Sequence, residues 1–413
     1  MIPHEMILTQ TLLIVNKGSP YYNVLDELCF LSKNLYNASL YEVRKQYKNN
    51  KTFLSAFSLM KMFVSSNNVD YRALPYAQMA QQVVLQVEKM YKSFFVTLKL
   101  PKMQGKKIRV PKYKDKVNGR NVVIYTKQSI HIKNNIITLK THKGNINIKT
   151  SRNDIQQIRI VPKGNHIVIE CLYKVECKAF KGDNKRYGSI DLGVNNLCTF
   201  TSNIGQSIIY NGRPLKAINQ YYNKKKAKLQ SELEHNKRTS KCIRRITLRR
   251  NNKVKDYLHK VTSKIVEYME TNSIHILFIG KNVGWKEGIN LGVKMNQTFV
   301  SIPYNRLIEM LQYKCKLKGF KVVLINEAYT SKCSFLDNEI ICKHQTYKGK
   351  RIKRGLFQTQ NGILINADVN GSFNIMRLGI KKLNVKLDVL NEITSKPKFK
   401  RFALNPVLIT IKF

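Results

Sequence analysis

Gly188-Ser189-Ile190-Asp191-Leu192-Gly193 sets an aspartate inside an apolar run that reads as a buried strand. A carboxylate there costs several kcal/mol unless it is paired or binds a metal. Gly193 leaves room for close approach of backbone or phosphate. Downstream the pattern is α/β. Leu197–Thr201 and Gln206–Tyr210 read as further strands. A long basic helical region runs from Leu215 to about Glu270, and Val254, Tyr257, Leu258, Val261, Ile265, Tyr268 and Met269 make its second half amphipathic. Ile274–Ile279 and Lys321–Ile325 are short β-branched runs, as buried strands should be. Pro303–Lys318 reads as a helix stopped by Gly319. Residues 330–360 read as an irregular basic insertion. Ile363–Ile365 is extended, and Ala367–Met376 reads as a helix with Asp368 at its start. Taken singly, Asp191 reads as a structural strand-end acid and Asp368 as an acid favoured by a helix dipole. Taken together in this order of elements, they point to phosphodiester hydrolysis, in which two Mg²⁺ ions held by converging carboxylates activate water and stabilise the leaving oxygen.

Upstream, Ile7–Val15 reads as a strand, and Tyr22–Gln46 and Phe53–Val64 as helices. After Pro75, which a helix start tolerates, Ala80, Val83, Val84, Val87, Tyr91, Phe94 and Phe95 share one helical face. From about Leu100 short strand-like runs alternate with turn residues: Val122–Tyr125, Ser129–Ile132, Ile136–Thr141, Ile146–Lys149, Gln157–Val161 and His166–Tyr173. They predict a small barrel or sandwich. Between Leu100 and Thr150 the one acidic residue is Asp115, so a strongly positive surface is expected there.

Charge names the class of partner. The chain carries 73 Lys and Arg against 25 Asp and Glu, a net charge of +48. Such an excess repels itself in a compact state and calls for a polyanion. Nucleic acid fits, because neutralising phosphates releases counterions. A membrane surface fits poorly, since the cations are spread along the chain rather than clustered. No run reaches the roughly 18 apolar residues of a spanning helix. Met1–Ile14 has no basic leader before an apolar core, so no signal peptide is expected. Eight cysteines without a regular framework suit a reducing cytoplasm.

The whole chain resembles the TnpB-type (OrfB-like) proteins of transposons, relatives of the type V CRISPR effector nucleases. The resemblance is carried by Gly188–Asn196, by Ile279-Gly280-Lys281-Asn282 with Trp285-Lys286, by Tyr329-Thr330-Ser331-Lys332, by Arg351–Phe357, and by Asn366-Ala367-Asp368-Val369-Asn370-Gly371-Ser372. It implies an α+β multidomain chain. A wedge-like β-barrel would occupy 1–20 and 100–180, with a helical insertion at 21–99. An RNase H-like, RuvC-type α/β nuclease domain would follow at 185–380, then a basic tail at 381–413. It also implies RNA-guided cleavage of DNA, with a guide RNA and target DNA as partners.

The sequence departs from the family twice. The usual second acid is a Glu at the end of the strand read as Ile274–Ile279, where this chain has Gly280 and then Lys281. Glu327 follows the next strand and is the candidate replacement, as in a subgroup with a relocated acid; Glu287 is the reserve. Asp191, Glu327 and Asp368 would then be the catalytic and Mg²⁺-binding set. The alternatives are a strand-end Glu327 on a nuclease-dead, RNA-guided DNA binder, or a transposase that joins strands in DNA recombination. The second departure is in the insertion at 328–362. Relatives carry two Cys-x-x-Cys pairs there; this chain has only Cys333 and Cys342, with His344 nearby. The insertion therefore reads as a degenerate zinc ribbon without zinc, held by packing of Phe335, Leu336 and Tyr347. Lys106, Lys107, Arg109, Lys112, Lys114, Arg244, Arg245, Lys332, Arg351, Lys353 and Arg354 are the expected nucleic-acid contacts.

Overall fold

A computed structural model describes residues 5–50, 52–100, 108–204, 207–235, 237–282, 297, 300–385, 390 and 405–411. The chain divides into two compact units, Glu5–Val175 and Glu176–Phe413. In the first unit the elements run β1 (Glu5–Asn16), α1 (Tyr22–Asn50), α2 (Ala56–Ser65), α3 (Val69–Arg72), α4 (Ala77–Leu98), β2 (Val123–Thr126), β3 (His131–Lys133), β4 (Ile136–Thr141), β5 (Gly144–Lys149), β6 (Ile155–Pro162) and β7 (His166–Glu176). The expected barrel is instead two separate sheets, one ordered β1-β7-β6-β2 and one the meander β3-β4-β5. The apolar faces of both sheets join those of α1, α2 and α4 in one core, through residues such as Tyr125, Leu139, Ile148, Ile160, Leu35 and Val84. Helices cover what closure of a barrel would otherwise bury.

The second unit runs β8 (Tyr187–Leu192), β9 (Asn196–Ser202), β10 (Ser207–Asn211), α5 (Arg213–Ser231), α6 (Lys241–Thr271), β11 (Ile276–Gly280), α7 (Tyr304–Leu317), β12 (Lys321–Ile325), β13 (Lys350–Lys353), β14 (Leu356–Gln358), β15 (Leu364–Asn366), α8 (Ala367–Lys382) and β16 (Val407–Ile409). Its central sheet is ordered β12-β11-β8-β9-β10-β16. β8, β9 and β10 form an antiparallel meander, while β11 lies parallel to β8 and β12 parallel to β11. The long helical stretch expected from Leu215 is broken into α5 and α6, with the Ser240 side chain capping the second by accepting from Ile243 N.

Strand alternation sorts the side chains into two cores. Ile190, Leu192, Leu277 and Ile279 join Val261 and Ile265 of α6 and Leu307 and Leu311 of α7. Tyr187, Ile276, Phe278 and Ile325 join Val369, Phe373 and Met376 of α8. By the same parity Ser189 and Asp191 face α8.

Two expectations are corrected. Residues 350–358, inside the supposedly irregular insertion, form β13 and β14, which join β15, expected as the extended run Ile363–Ile365, in a three-stranded sheet anchored by the buried Phe357 and Ile365. The supposed basic tail supplies β16, parallel to β10, and Ile411 reaches the core of α6 and α7. Alternation too short to register against many lysines hides such strands. Among the described residues no helix is long and apolar enough to cross a membrane.

Candidate nuclease centre

Asp191 is the fifth residue of β8, paired across to Thr199 of β9. Its strand is locked to α8 by buried hydroxyls. Ser189 Oγ bonds Thr201 Oγ1 at 2.7 Å and donates to Ser372 O at 2.7 Å, while Ser372 Oγ donates to Ser189 O at 3.2 Å. These hydroxyls fix the helix that carries Asp368 against the strand that carries Asp191. Sequence reading missed them. The available signal was small polar residues at Ser189, Thr201 and Ser372 inside otherwise apolar elements, where a polar group is tolerated when bonded.

Asp368 lies in the first turn of α8. The Asn366 side chain caps that helix, accepting from Asp368 N at 3.0 Å and Val369 N at 3.2 Å. Asp368 Oδ2 accepts from Asn196 Nδ2 at 2.7 Å, and Asp368 Oδ1 meets Arg351 Nη2 of β13 at 3.4 Å.

Glu327 follows β12, which pairs with β11 so that Ile325 sits opposite Gly280. Gly280 is one residue beyond Ile279, which pairs with Ile190, so it stands beside Asp191 and on the same face. A Cβ on Gly280 would lie 2.6 Å from Glu327 Oε2. The Glu327 carboxylate, with Ile375 Cδ1 also at 2.6 Å, therefore fills the space where a side chain at 280 would begin. Asn282 holds it there: its Nδ2 donates to Glu327 Oε1 at 3.3 Å and its Oδ1 accepts from Glu327 N at 3.1 Å. Glu327 Oε2 is buried and has no hydrogen-bond partner among the described residues. On the other side of the site, Gly371 of α8 keeps space for Asp191: a Cβ there would sit 3.2 Å from Asp191 Oδ2.

Electrostatics link the three acids. Burial pushes the Asp191 carboxyl well above the ordinary carboxylate range, and the negative charges of Asp368 and then Glu327 raise it further. Burial alone pushes Glu327 up to about 7. Uncompensated carboxylates in one low-dielectric place disfavour their own ionisation. A cation would reverse that. The donors are oxygen atoms, as a hard divalent ion prefers, and Glu327 Oε2 lacks the partner such an ion would provide. Among the described residues, however, no group of three or more His, Cys, Asp or Glu side chains stands close enough to hold a metal as it is. Asp368 is turned to Asn196 and Arg351.

The insertion after Glu327 is tied to the same helix. Asn370 of α8 accepts from Phe335 N at 2.9 Å and donates to Cys333 O at 2.9 Å; Asn374 donates to Thr330 O at 2.9 Å and Cys333 O at 2.8 Å. Phe335 stacks on Phe373 with ring centroids 4.7 Å apart. Cys333 is buried and Cys342 exposed; Cys342 Sγ lies 3.3 Å from His344 Nε2, which in turn contacts Ile340 O at 2.7 Å. A feature missed in the sequence holds the two limbs together. The buried Glu339 accepts from Ser334 N at 2.7 Å and from Lys348 N at 2.9 Å. Packing by Phe335 was expected; this carboxylate staple was not.

The expected cationic contacts divide. Arg244 and Arg245 are exposed on the first half of α6, and Lys332, Lys353 and Arg354 are exposed around the insertion. Arg351 is exposed but engaged with Asp368 and with Arg354 O. In the first unit Arg109 and Lys112 are exposed. Lys114 lies 5.0 Å over the Tyr36 ring, and burial lowers its pKa, so it anchors its own segment instead of standing free. Lys106, Lys107 and Glu287 lie outside the described residues.

The chain is similar to known proteins in sequence and fold. A family model described as "Probable transposase" (OrfB_IS605) matches residues 171–286, and one described as "Cas12f1-like, TNB domain" matches residues 304–375. The TnpB-like protein ORF457 of Acidianus two-tailed virus is 22% identical over 229 residues, 53% of this chain and 47% of that protein. The CRISPR-associated endodeoxyribonuclease Cas12f2 of Micrarchaeota archaeon (strain CG1_02_47_40) is 27% identical over 245 residues, 54% of this chain and 42% of that protein. The chain thus spans less than half the length of these curated relatives. A solved structure of the mini-RNA-guided endonuclease CRISPR-Cas_phi3 superposes with a TM-score of 0.53 at 9% identity, covering 92% of each chain, which is a likeness of fold.

Proposed function

We propose, from the premise that the chain belongs to the TnpB and type V effector family, that it is an RNA-guided DNA endonuclease whose centre is Asp191, Glu327 and Asp368. The observation that carries this reading is the carboxylate of Glu327 in the volume vacated by Gly280, with Oε2 buried and unpartnered beside Asp191. Strand order supports it: numbered from β8, the sheet reads 5-4-1-2-3 with the first three strands antiparallel and β16 added beside the third, as expected of an RNase H-like, RuvC-type domain.

In this reading the three carboxylates hold divalent metal, Mg²⁺ in the cell. When bound, the metal supplies an activated water and stabilises the departing oxygen. The chain's own residues do the rest. Ser189, Thr201 and Ser372 keep Asp191 and Asp368 on facing elements. Asn282 orients Glu327. Asn196 holds one oxygen of Asp368, and Arg351 must yield the other. Exposed cations of α6 and of the insertion bind phosphates by charge, leaving sequence to base pairing with a guide RNA, as RNA-guided effectors do.

A second reading is favoured by the unassembled state of the acids, with Asp368 held by Arg351: an RNA-guided DNA-binding protein that does not cut. The deciding experiment is to purify the chain with its co-expressed RNA and present a matched plasmid with Mg²⁺. Cutting by the wild type and not by Asp191→Ala supports the nuclease. If both bind the target and leave it equally intact, the nuclease reading is lost and the binding protein stands.

A further inference from the structure

α5 and α6 pack against each other and line a cleft of about 520 Å³, within the range of roughly 300–1,000 Å³ typical of ligand sites. Its floor is apolar, with Ile218 and Ile246. Its walls carry Tyr221, Tyr222, Lys225, Arg249, Arg250 and Lys253, and among the described residues no acidic side chain lines it. Two of these are fixed parts of the wall. Tyr222 Oη bonds Thr247 Oγ1 at 2.9 Å. Arg250 donates to Asn219 Oδ1 at 2.7 Å, Asn251 Oδ1 at 3.0 Å and Ser301 O at 2.7 Å. The others face outward. Tyr221 is 67% exposed, with Lys225 one turn on; its Nζ is 3.3 Å from Tyr221 Oη. Arg249 and Lys253 are exposed one turn apart on the opposite wall.

The core does not require an exposed tyrosine at 221, and a solvated charged face does not require a ring. Together they offer a flat surface for a π-face, with cations placed for a phosphate on either side. That combination suits an unpaired nucleotide, because a base within a duplex has both faces already covered by its neighbours. We propose that the α5–α6 cleft holds an unpaired nucleotide of single-stranded DNA, stacked on Tyr221 with its phosphate at Lys225, Arg249 and Lys253. DNA is the strand assigned here because α5 leaves directly from β10. β10 pairs with β9, whose Asn196 holds Asp368, so the cleft is built on the sheet that would receive the strand to be cut. This deepens the nuclease reading and rests on it for the identity of the strand.

The test uses the full chain purified with its RNA, in EDTA so that binding is read apart from cleavage. Salt is raised to about 0.3 M to suppress non-specific phosphate binding. Labelled single strands of about 12 nucleotides span a single-strand site; DNA, RNA and duplex DNA of one sequence are compared. Tyr221→Ala is expected to weaken single-stranded DNA about 5- to 100-fold. Tyr221→Phe keeps the ring and is expected to stay within about 2-fold of wild type. Lys225→Ala with Arg249→Ala is expected to flatten the salt dependence. Tyr221→Trp should show fluorescence quenched by the DNA strand beyond the wild-type change. The proposal is overturned if Tyr221→Ala leaves single-stranded DNA affinity unchanged, if duplex binding falls equally, or if the loss is confined to RNA. Because no cutting is scored, an inactive centre leaves this result readable, and a failed cleft leaves the plasmid assay untouched.

Discussion

Glu327 and Glu339 lie twelve positions apart, the first against the glycine where the resemblance implies an acid, the second inside the insertion where it implies Cys-x-x-Cys pairs. Their surroundings differ in kind. Both oxygens of Glu339 accept backbone N–H groups, from Ser334 and Lys348, and the residue is 3% exposed. Glu327 has one oxygen on Asn282 at 3.3 Å and the other buried without a partner among the described residues. A saturated carboxylate is a structural clasp. An unsaturated one beside another acid is a poor element of stability and a good ligand. The insertion is thus closed on itself by Glu339, whereas beside Gly280 the acid Glu327 is left open.

The largest expected effect follows from the open member. Glu327→Ala should lower matched-plasmid cleavage by more than about 100-fold, since even outer-shell partners of metal ligands typically cost 10- to 100-fold. Target binding measured by gel shift should stay within about 2-fold. Gly280→Glu with Ile375→Val added to that variant should recover part of the cleavage, because a side chain at 280 needs the space of both the Glu327 carboxylate and Ile375 Cδ1. Glu327→Ala cutting as well as wild type would make Glu327 a strand-end residue and erase the contrast with Glu339.

The closed member is expected to act on stability. Glu339→Ala strands the N–H groups of Ser334 and Lys348, and leaving buried donors unsatisfied costs about 1–3 kcal/mol each. A loss of about 2–4 kcal/mol in local stability should appear as faster amide exchange over residues 330–350. A zinc chelator should leave that exchange unchanged in the wild type. Slower exchange with added zinc, or faster exchange with chelator, would show that Cys333, Cys342 and His344 carry the clasp instead.

How far the sequence could be read differs between the two glutamates for a physical reason. Glu327 was legible because strands announce themselves by apolar runs, and once Ile274–Ile279 and Lys321–Ile325 are neighbours, the residue two beyond Ile325 falls beside Gly280. Asp191 and Asp368 were legible as acids in apolar or helix-initial settings. Glu339 was not, because its partners are backbone N–H groups, which every sequence possesses. The short strands of the insertion and β16 were hidden for a related reason: three or four residues among lysines give too little alternation to separate from loop. Arg351 shows a limit of the opposite kind. Its cluster with Lys353 and Arg354 reads as phosphate-binding, and nothing in the local pattern announces an acid seventeen positions on.

The pH dependence of stability offers a third way to separate the two acids. Glu327 has its pKa raised by burial from 4.5 to about 7, so the folded state favours the protonated form. In the metal-free protein its contribution is intact below pH 4.5 and is lost as pH rises through about 7. Glu327→Gln removes that loss. It should be as stable as wild type near pH 4 and more stable by about 3 kcal/mol at pH 8, measured by denaturant unfolding in EDTA. A metal that binds the site should shrink the gap. An equal gain at both pH values would mean that Glu327 is not held against its own ionisation.

Arg351 gives the smallest effect and the finest test of openness. Its guanidinium lies 3.4 Å from Asp368 Oδ1, with side chains 43% and 29% exposed, so the pair is worth at most about 1 kcal/mol. A cation bound by Asp368 must displace or tolerate that positive charge. Arg351→Ala should therefore tighten Mn²⁺ binding by roughly 2- to 5-fold, read by titration calorimetry on the RNA-bound protein without DNA. The same change in a Glu327→Ala background should matter less, because one ligand is already missing and the ion is held chiefly elsewhere. Equal tightening in both backgrounds would mean that Asp368 binds metal independently of Glu327, and the acid beside Gly280 would then lose its claim to complete the site.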